Sequence, residues 1–210
     1  MIHHPFAQRL LNLIYPEGLF CGVCGTRGNQ GHLVCEECQA SMIAYEGYEL
    51  AAFEYEGAAA EIVRIMKYGN RPDLSSVLTH HMAYRLLSSN AQVQLAVGVP
   101  MSFRRKIRRG YNQADLLARQ VARICGIPFV PGALVRLRET PPQASLGREL
   151  RLTALQNTIA AAGKSIVGKD ILLVDDITTT GATIAECTRA LMVGGANSVV
   201  PLTACKVRLE

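Results

Sequence analysis

Apolar residues along the chain fall into short continuous runs separated by longer stretches of mixed character. Ile171-Leu-Leu-Val174 is an unbroken apolar run, as expected of a strand buried on both faces of a parallel sheet. Leu95-Ala-Val-Gly-Val-Pro100 reads the same way and stops at its proline. Strands are expected near 95–99, 134–137, 171–175 and 198–203, with an edge element opening at Phe53–Gly57. Between them, Ala58–Tyr68, Leu74–Leu87, 112–125 and 182–194 carry helical periodicity, and Gly69-Asn-Arg-Pro72 forms a turn. Near the start, Phe6, Leu10, Leu11 and Ile14 line one face of a short helix that ends before Pro16. Its apolar face either packs on its own domain, the commoner outcome, or lies on a membrane surface. Strands alternating with helices argue for an α/β fold built on a parallel sheet with helices on both faces. No internal repeat is present.

Composition narrows the class. With 210 residues, 49% hydrophobic and 19% charged, the chain is an ordinary globular protein of one or two domains and is not a disordered or collagen-like one. No run approaches the 18 or more apolar residues of a membrane span, and the N-terminus has no basic region followed by an apolar core and cleavage site. A cytoplasmic protein is therefore expected. The net charge of +5 is mild, but its distribution is not. Residues 1–50 hold two basic residues against five acidic ones, whereas residues 100–151 hold 11 basic against three acidic, an excess of +8. Whatever touches that quarter of the chain is anionic.

Seven cysteines are an odd count, and a disulfide framework is not expected in a reducing compartment. Cys125, Cys187 and Cys205 stand alone in apolar or helical surroundings and read as buried thiols. The other four form two C-x-x-C pairs, Cys21/Cys24 and Cys35/Cys38, with ten residues between. Each pair turns two thiolates toward one point, and four thiolates make a closed tetrahedral site suited to structural Zn²⁺. A redox pair or an iron–sulfur site are the alternatives, and His32 could in principle replace one thiolate. With every position filled by sulfur, the role is to fold a segment too small for its own core.

After Val174 come two adjacent carboxylates, Asp175 and Asp176, then Ile-Thr178-Thr179-Thr180-Gly181-Ala182-Thr183 and a helix. Carboxyl ends of strands are where ligands of open α/β sheets bind. A loop of small hydroxyl-bearing residues that runs into a helix N-terminus makes an anion cradle from backbone amides, hydroxyls and the helix dipole. The pattern is neither a Walker loop nor a dinucleotide fingerprint. Two acids beside a phosphate nest are costly unless they address vicinal ribose hydroxyls or a Mg²⁺ shared with the ligand. Upstream, Arg104, Arg105, Lys106, Arg108 and Arg109 place five cations in six positions after Pro100. Such a run is most often a solvated face. Here it follows the end of a strand in the same sheet, so Arg104, Arg105, Arg108 and Arg109 are candidates for a diphosphate, which guanidinium groups bind bidentately. Residues 136–151, broken by Pro141, Pro142 and Gly147, are either a lid over this site or a solvent loop.

The run from Ile171 to Thr183 resembles the phosphoribosyl diphosphate (PRPP) signature of type I phosphoribosyltransferases. By that resemblance Asp175 and Asp176 hold the ribose hydroxyls, and the residues from Thr178 through Thr183 hold the 5-phosphate. The wider order is C-x-x-C…C-x-x-C, Met-Lys-Tyr-Gly (66–69), Val99-Pro100, Arg-Arg-Gly-Tyr-Asn-Gln (108–113), Gln143…Leu146…Arg151 and the 174–183 loop. That order resembles the ComF family of competence-associated proteins over roughly residues 10–205. The resemblance implies an N-terminal helix and four-cysteine zinc module (1–50) joined to a type I phosphoribosyltransferase-like domain (51–210). The segment after Pro100 would then face the diphosphate of PRPP. One departure is Ala154, where the family usually carries Asn.

Two functions follow. In the first, PRPP with Mg²⁺ binds at the transferase site of a protein that handles incoming single-stranded DNA during natural transformation, together with the competence DNA-uptake proteins. The basic quarter would supply the electrostatic groove, although only Phe103, Tyr111 and Phe129 offer aromatic faces in residues 100–151. In the second, the chain is an active phosphoribosyltransferase of nucleotide salvage or metabolism whose acceptor the residues do not identify.

Overall fold

The computed structural model describes residues 20–27, 31–138 and 157–208. The expected N-terminal helix at 6–14, most of the expected lid segment and Ala154 lie outside these residues. The elements are α1 (Glu36–Ala40), β1 (Ala51–Glu54), α2 (Gly57–Tyr68), a 3-10 turn (Pro72–Leu74), α3 (Ser75–Ser88), β2 (Leu95–Gly98), α4 (Phe103–Arg109), α5 (Gln113–Cys125), β3 (Leu134–Arg136), β4 (Ile159–Ala161), β5 (Asp170–Thr178), α6 (Ala182–Val193) and β6 (Ser198–Lys206).

Strands β1, β6, β5 and β2 form, in that order, a four-stranded sheet in which every pairing is parallel. The apolar run of β5 explains its central place. Leu172 and Val174 face a core shared with α2, α3 and α5, while Ile171 and Leu173 face a second core against α6, all four fully buried. Alternate residues of one strand thus serve opposite faces, which only a sheet covered on both sides permits. Both edges are closed. Residues 43–45 run antiparallel along β1, with Glu54 N–H donating to the Ile43 carbonyl (2.8 Å) and Tyr45 N–H to the Ala52 carbonyl (3.1 Å). Segment 128–130 brackets Ala96 on the free side of β2, through Ala96 N–H to the Pro128 carbonyl and Val130 N–H to the Ala96 carbonyl, each 2.9 Å. Covered edges remove the template for edge-to-edge association.

Two elements differ from the sequence reading. The strand expected at 134–137 does not join the main sheet. It pairs antiparallel with Ile159–Ala161, a strand not anticipated, because only Leu134 of its three residues is buried and Val135 faces outward. The charge run after Pro100 is a short helix, α4, and its Arg104, Arg105, Lys106 and Arg108 are exposed.

The N-terminal segment does not stand apart from the sheet. Cys21 and Val34 are buried in the same core as Leu74, Leu78 and Met82 of the turn and α3. Helix α5 packs closely on β2 at Gly98, where a Cβ would lie 2.4 Å from Asp115 Oδ1, 2.8 Å from Asp115 N and 2.9 Å from the Ala114 carbonyl carbon. Backbone atoms cannot swing away, so Gly98→Ala must force α5 off the sheet. A loss of about 1–3 kcal/mol in urea unfolding is expected, and an unchanged midpoint would show that the approach is looser than described.

Candidate functional site

All four parallel strands end on one side of the sheet, and the candidate residues collect there. Strand β5 delivers Asp175 and Asp176, and the chain then turns through Thr179, Thr180 and Gly181 into α6. Gly181 is the N-cap of α6 at φ +78°, a left-handed conformation that side-chain-bearing residues rarely adopt. No side chain caps this helix and no acid occupies its first turn. The positive end of the helix dipole therefore faces the loop without a local carboxylate to quench it. Thr179 is exposed, Thr180, Gly181 and Thr183 are half-buried, and Ala182 is buried. Thr178 is buried at the end of β5, beside Lys206 of β6, and its hydroxyl has no hydrogen-bond partner.

Asp176 is held by a cation to which the sequence assigned no role. Lys67 Nζ, in the last turn of α2, lies 2.9 Å from Asp176 Oδ2, and both side chains are mostly buried. Asp175 Oδ1 accepts the Asp176 backbone N–H at 2.8 Å. Burial first, and the Asp176 carboxylate second, push Asp175 up to about 7, against the pull of that N–H, Lys67 and Arg136. Arg136, at the end of β3, is a second residue without an expected role. Burial lowers its guanidinium from the ordinary value, with Arg105 acting in the same direction and Cys187 and Asp175 opposing. Arg105 and Arg136 therefore share one electrostatic neighbourhood with the Asp pair, while Arg104 and Arg108 lie on the exposed surface of α4. The signal for Lys67 was the Met-Lys-Tyr-Gly run. Arg136 gave none, since its position depends on a pairing of β3 with β4 that local pattern does not encode.

The raised Asp175 has a consequence for stability. An unfolded aspartate titrates near about 3.9, so between about pH 4 and 7 the folded chain keeps a proton that the unfolded chain has lost. Stability contributed by this group therefore falls as pH rises through that window, and the full penalty is present above it. Urea unfolding of wild type and Asp175→Asn should show a variant that gains relative stability from about pH 5 to pH 8. Parallel profiles would contradict the shift.

The Arg-Arg-Gly-Tyr-Asn-Gln segment proves to be a buttress. Tyr111 Oη and Gln113 Nε2 (3.2 Å) both donate to the Met66 carbonyl, at the turn that carries Lys67. Asn112 caps α5 by accepting from Ala114 N–H (3.2 Å) and donates to the Val99 carbonyl at the end of β2 (3.0 Å). Arg109 donates to Gln113 Oε1 (3.0 Å) and stacks over the Tyr68 ring at 5.3 Å. These bonds hold the ends of α2, β2 and α5 in register around the Asp pair.

Away from that loop, Cys21, Cys24, Cys35 and Cys38 converge, their sulfurs all within 4.8 Å of one another. A tetrahedral Zn–S site with bonds of about 2.3 Å places sulfurs about 3.8 Å apart, and Cys24 Sγ and Cys35 Sγ are 3.7 Å apart. Backbone N–H groups of Val23 and Cys35 both reach Cys21 Sγ at 3.4 Å. Burial opposes ionisation of Cys21, but these amides and that of Cys24 outweigh it and draw the thiol down to about 6. The donor set, spacing and amide support fit a structural thiolate-bound metal. His32 is not among the converging groups.

A parallel sheet with helices on both faces, an acidic strand end leading into a helix start that no side chain caps, and a cluster of four cysteines together define an α/β protein with a cysteine knuckle. No protein-family model matches the chain. Curated relatives do. It is 28% identical over 191 residues to the DNA utilization protein YhgH of Escherichia coli K12, covering 89% of this chain and 83% of the relative. It is 28% identical to Competence protein F of Haemophilus influenzae, covering 82% and 78%. It is also 28% identical to Competence protein ComFC of Bacillus subtilis, covering 85% and 73%. These relatives support the resemblance to the ComF family. Among solved structures, an allosteric regulatory enzyme of purine biosynthesis aligns with a TM-score of 0.46 at 21% identity, covering 67% of this chain and 29% of that one. An adenine phosphoribosyltransferase aligns with a TM-score of 0.40 at 18% identity, covering 64% and 71%. The chain thus spans under a third of the first and about seven-tenths of the second. Among the described residues, no helix is long and apolar enough to cross a membrane.

Proposed function

We propose that this protein binds a phosphoribosyl diphosphate with Mg²⁺ at the carboxyl end of β5, and that it handles incoming DNA in the cytoplasm during natural transformation. The observation that carries the ligand reading is the junction of the Asp pair with the acid-free, uncapped N-terminus of α6 behind left-handed Gly181. In this reading the first backbone amides of α6 and the hydroxyls of Thr179, Thr180 and Thr183 hold the 5-phosphate. The buried Thr178 hydroxyl, unpartnered at the base of the loop, is a further donor to that phosphate. Asp175 and Asp176 accept from the ribose hydroxyls, and Lys67 and Arg136 supply positive charge on either side of them. Arg104, Arg105, Arg108 and Arg109 line the approach for the diphosphate. When bound, Mg²⁺ would neutralise diphosphate charge. We propose likewise that residues 1–50 form the metal-bearing module and 51–210 the ligand-bearing domain, with Zn²⁺ as the metal.

The DNA role draws on the names of the curated relatives and on the exposed cations of α4. Single-stranded oligonucleotide binding, followed by fluorescence anisotropy across a salt series, tests it. Binding should weaken steeply with salt, be lost in Arg104→Ala/Arg105→Ala/Arg108→Ala, and be weakened by Mg-PRPP. No binding at low salt would refute the role. Turnover is a second reading, favoured by Lys67, Arg105 and Arg136 gathered where a departing diphosphate would sit. Diphosphate release from Mg-PRPP with a nucleobase acceptor would establish it.

A further inference from the structure

At the edge of the sheet, on the far side of Lys206 from the Thr179 loop, a cleft of about 450 Å³ is lined by residues at the ends of β1 and β6. That volume lies in the range of small-molecule pockets. Its walls include Tyr45, Glu46, Glu49, Glu54, Lys206 and Arg208. Three carboxylates face two cations, and both cations are already engaged. Lys206 Nζ lies 2.6 Å from Glu49 Oε2 and donates to the Thr179 carbonyl at 3.3 Å, while Arg208 Nε donates to Glu54 Oε1 at 3.1 Å. The second oxygen of Glu54 has no donor, although this side chain is only 5% exposed. A buried carboxylate oxygen left without a donor is costly, so the cleft has an unmet demand for an N–H group.

We propose that this cleft binds a small organic cation, an amidinium or a primary ammonium, whose N–H groups satisfy Glu54 Oε2. Net negative charge in the walls selects a cation over an anion. The acids do not converge as a metal site requires: among the described residues only the four cysteines do. An organic ligand, with donors spread over a larger frame, therefore fits better than an ion. Lys206 forms a wall common to this cleft and to the Thr179 loop, so the two sites are neighbours, yet cation binding here does not depend on the phosphoribosyl reading.

The test uses the full chain without phosphate ligands and three isosteric probes: benzamidine, benzamide and benzoate, titrated by ligand-observed NMR. Benzamidine should bind most tightly, benzamide more weakly and benzoate not at all. Glu54→Gln should weaken benzamidine about tenfold or more, the scale of one charge-assisted hydrogen bond. Equal binding of benzoate and benzamidine, no benzamidine binding at millimolar concentration, or unchanged affinity in a folded Glu54→Gln would overturn the proposal. If that variant unfolds, the order of the three probes on the wild type decides alone.

Discussion

Replacing Cys24 and Cys38 together by serine is expected to abolish metal binding and to unfold the segment from Phe20 to Ala44. Four sulfurs within 4.8 Å of one another would repel as thiolates unless a cation lay between them. Structural zinc sites contribute folding energy directly, about 10–16 kcal/mol in isolated zinc-binding peptides. Here the segment also shares its core with α2 and α3 through Cys21 and Val34, and residues 43–45 cover the edge of β1. Loss should therefore spread into the α/β domain. The melting temperature should fall by about 10 °C or more, equivalent to a few kcal/mol at this chain length. Metal content by plasma emission should drop from one zinc per chain to none. Iron in place of zinc, or an unchanged melting temperature, would contradict the structural-zinc account.

The second large effect concerns the Asp pair. Asp175→Asn with Asp176→Asn preserves shape and removes two charges whose burial and mutual repulsion already raise Asp175. The fold should survive, with the relief at Asp175 offset by the loss of the Lys67–Asp176 ion pair. Binding of Mg-PRPP should nonetheless weaken by at least about 100-fold, because each lost charge-assisted hydrogen bond to a ribose hydroxyl is worth about 1.5–3 kcal/mol. Lys67, freed from its 2.9 Å contact with Asp176, offers a cation to the diphosphate but cannot accept from a hydroxyl. An affinity within about threefold of wild type would place the ribose elsewhere.

Much of this arrangement was legible in the linear pattern. The unbroken Ile171–Val174 run located the central strand because a strand buried on both faces has no polar alternative. The acids and small residues after it located the loop because few other contexts tolerate two carboxylates followed by Thr-Thr-Thr-Gly. The paired cysteines announced their own convergence. Lys67, Arg136 and Glu54 were not legible as site residues. Lys67 reaches Asp176 across 109 positions, Arg136 depends on an antiparallel pairing with residues 159–161, and Glu54 becomes an unsatisfied acceptor only once β6 lies beside it. Long-range pairing decides all three, and local periodicity carries no trace of it. The Tyr111–Gln113 segment was silent in another way. Its polar residues had a place in the family order but no assigned role, and their hydrogen bonds go to the Met66 and Val99 carbonyls, which fix the backbone that presents Lys67.

One measurement bears most directly on the site at the end of β5: calorimetric titration of the full chain with Mg-PRPP, repeated with excess chelator in place of Mg²⁺. The geometry predicts saturable binding of one ligand per chain, strongly weakened without the cation and in Asp175→Asn/Asp176→Asn. No heat from a folded, metal-loaded wild type would mean that the acids, the left-handed Gly181 and the uncapped helix do not form a phosphoribosyl site.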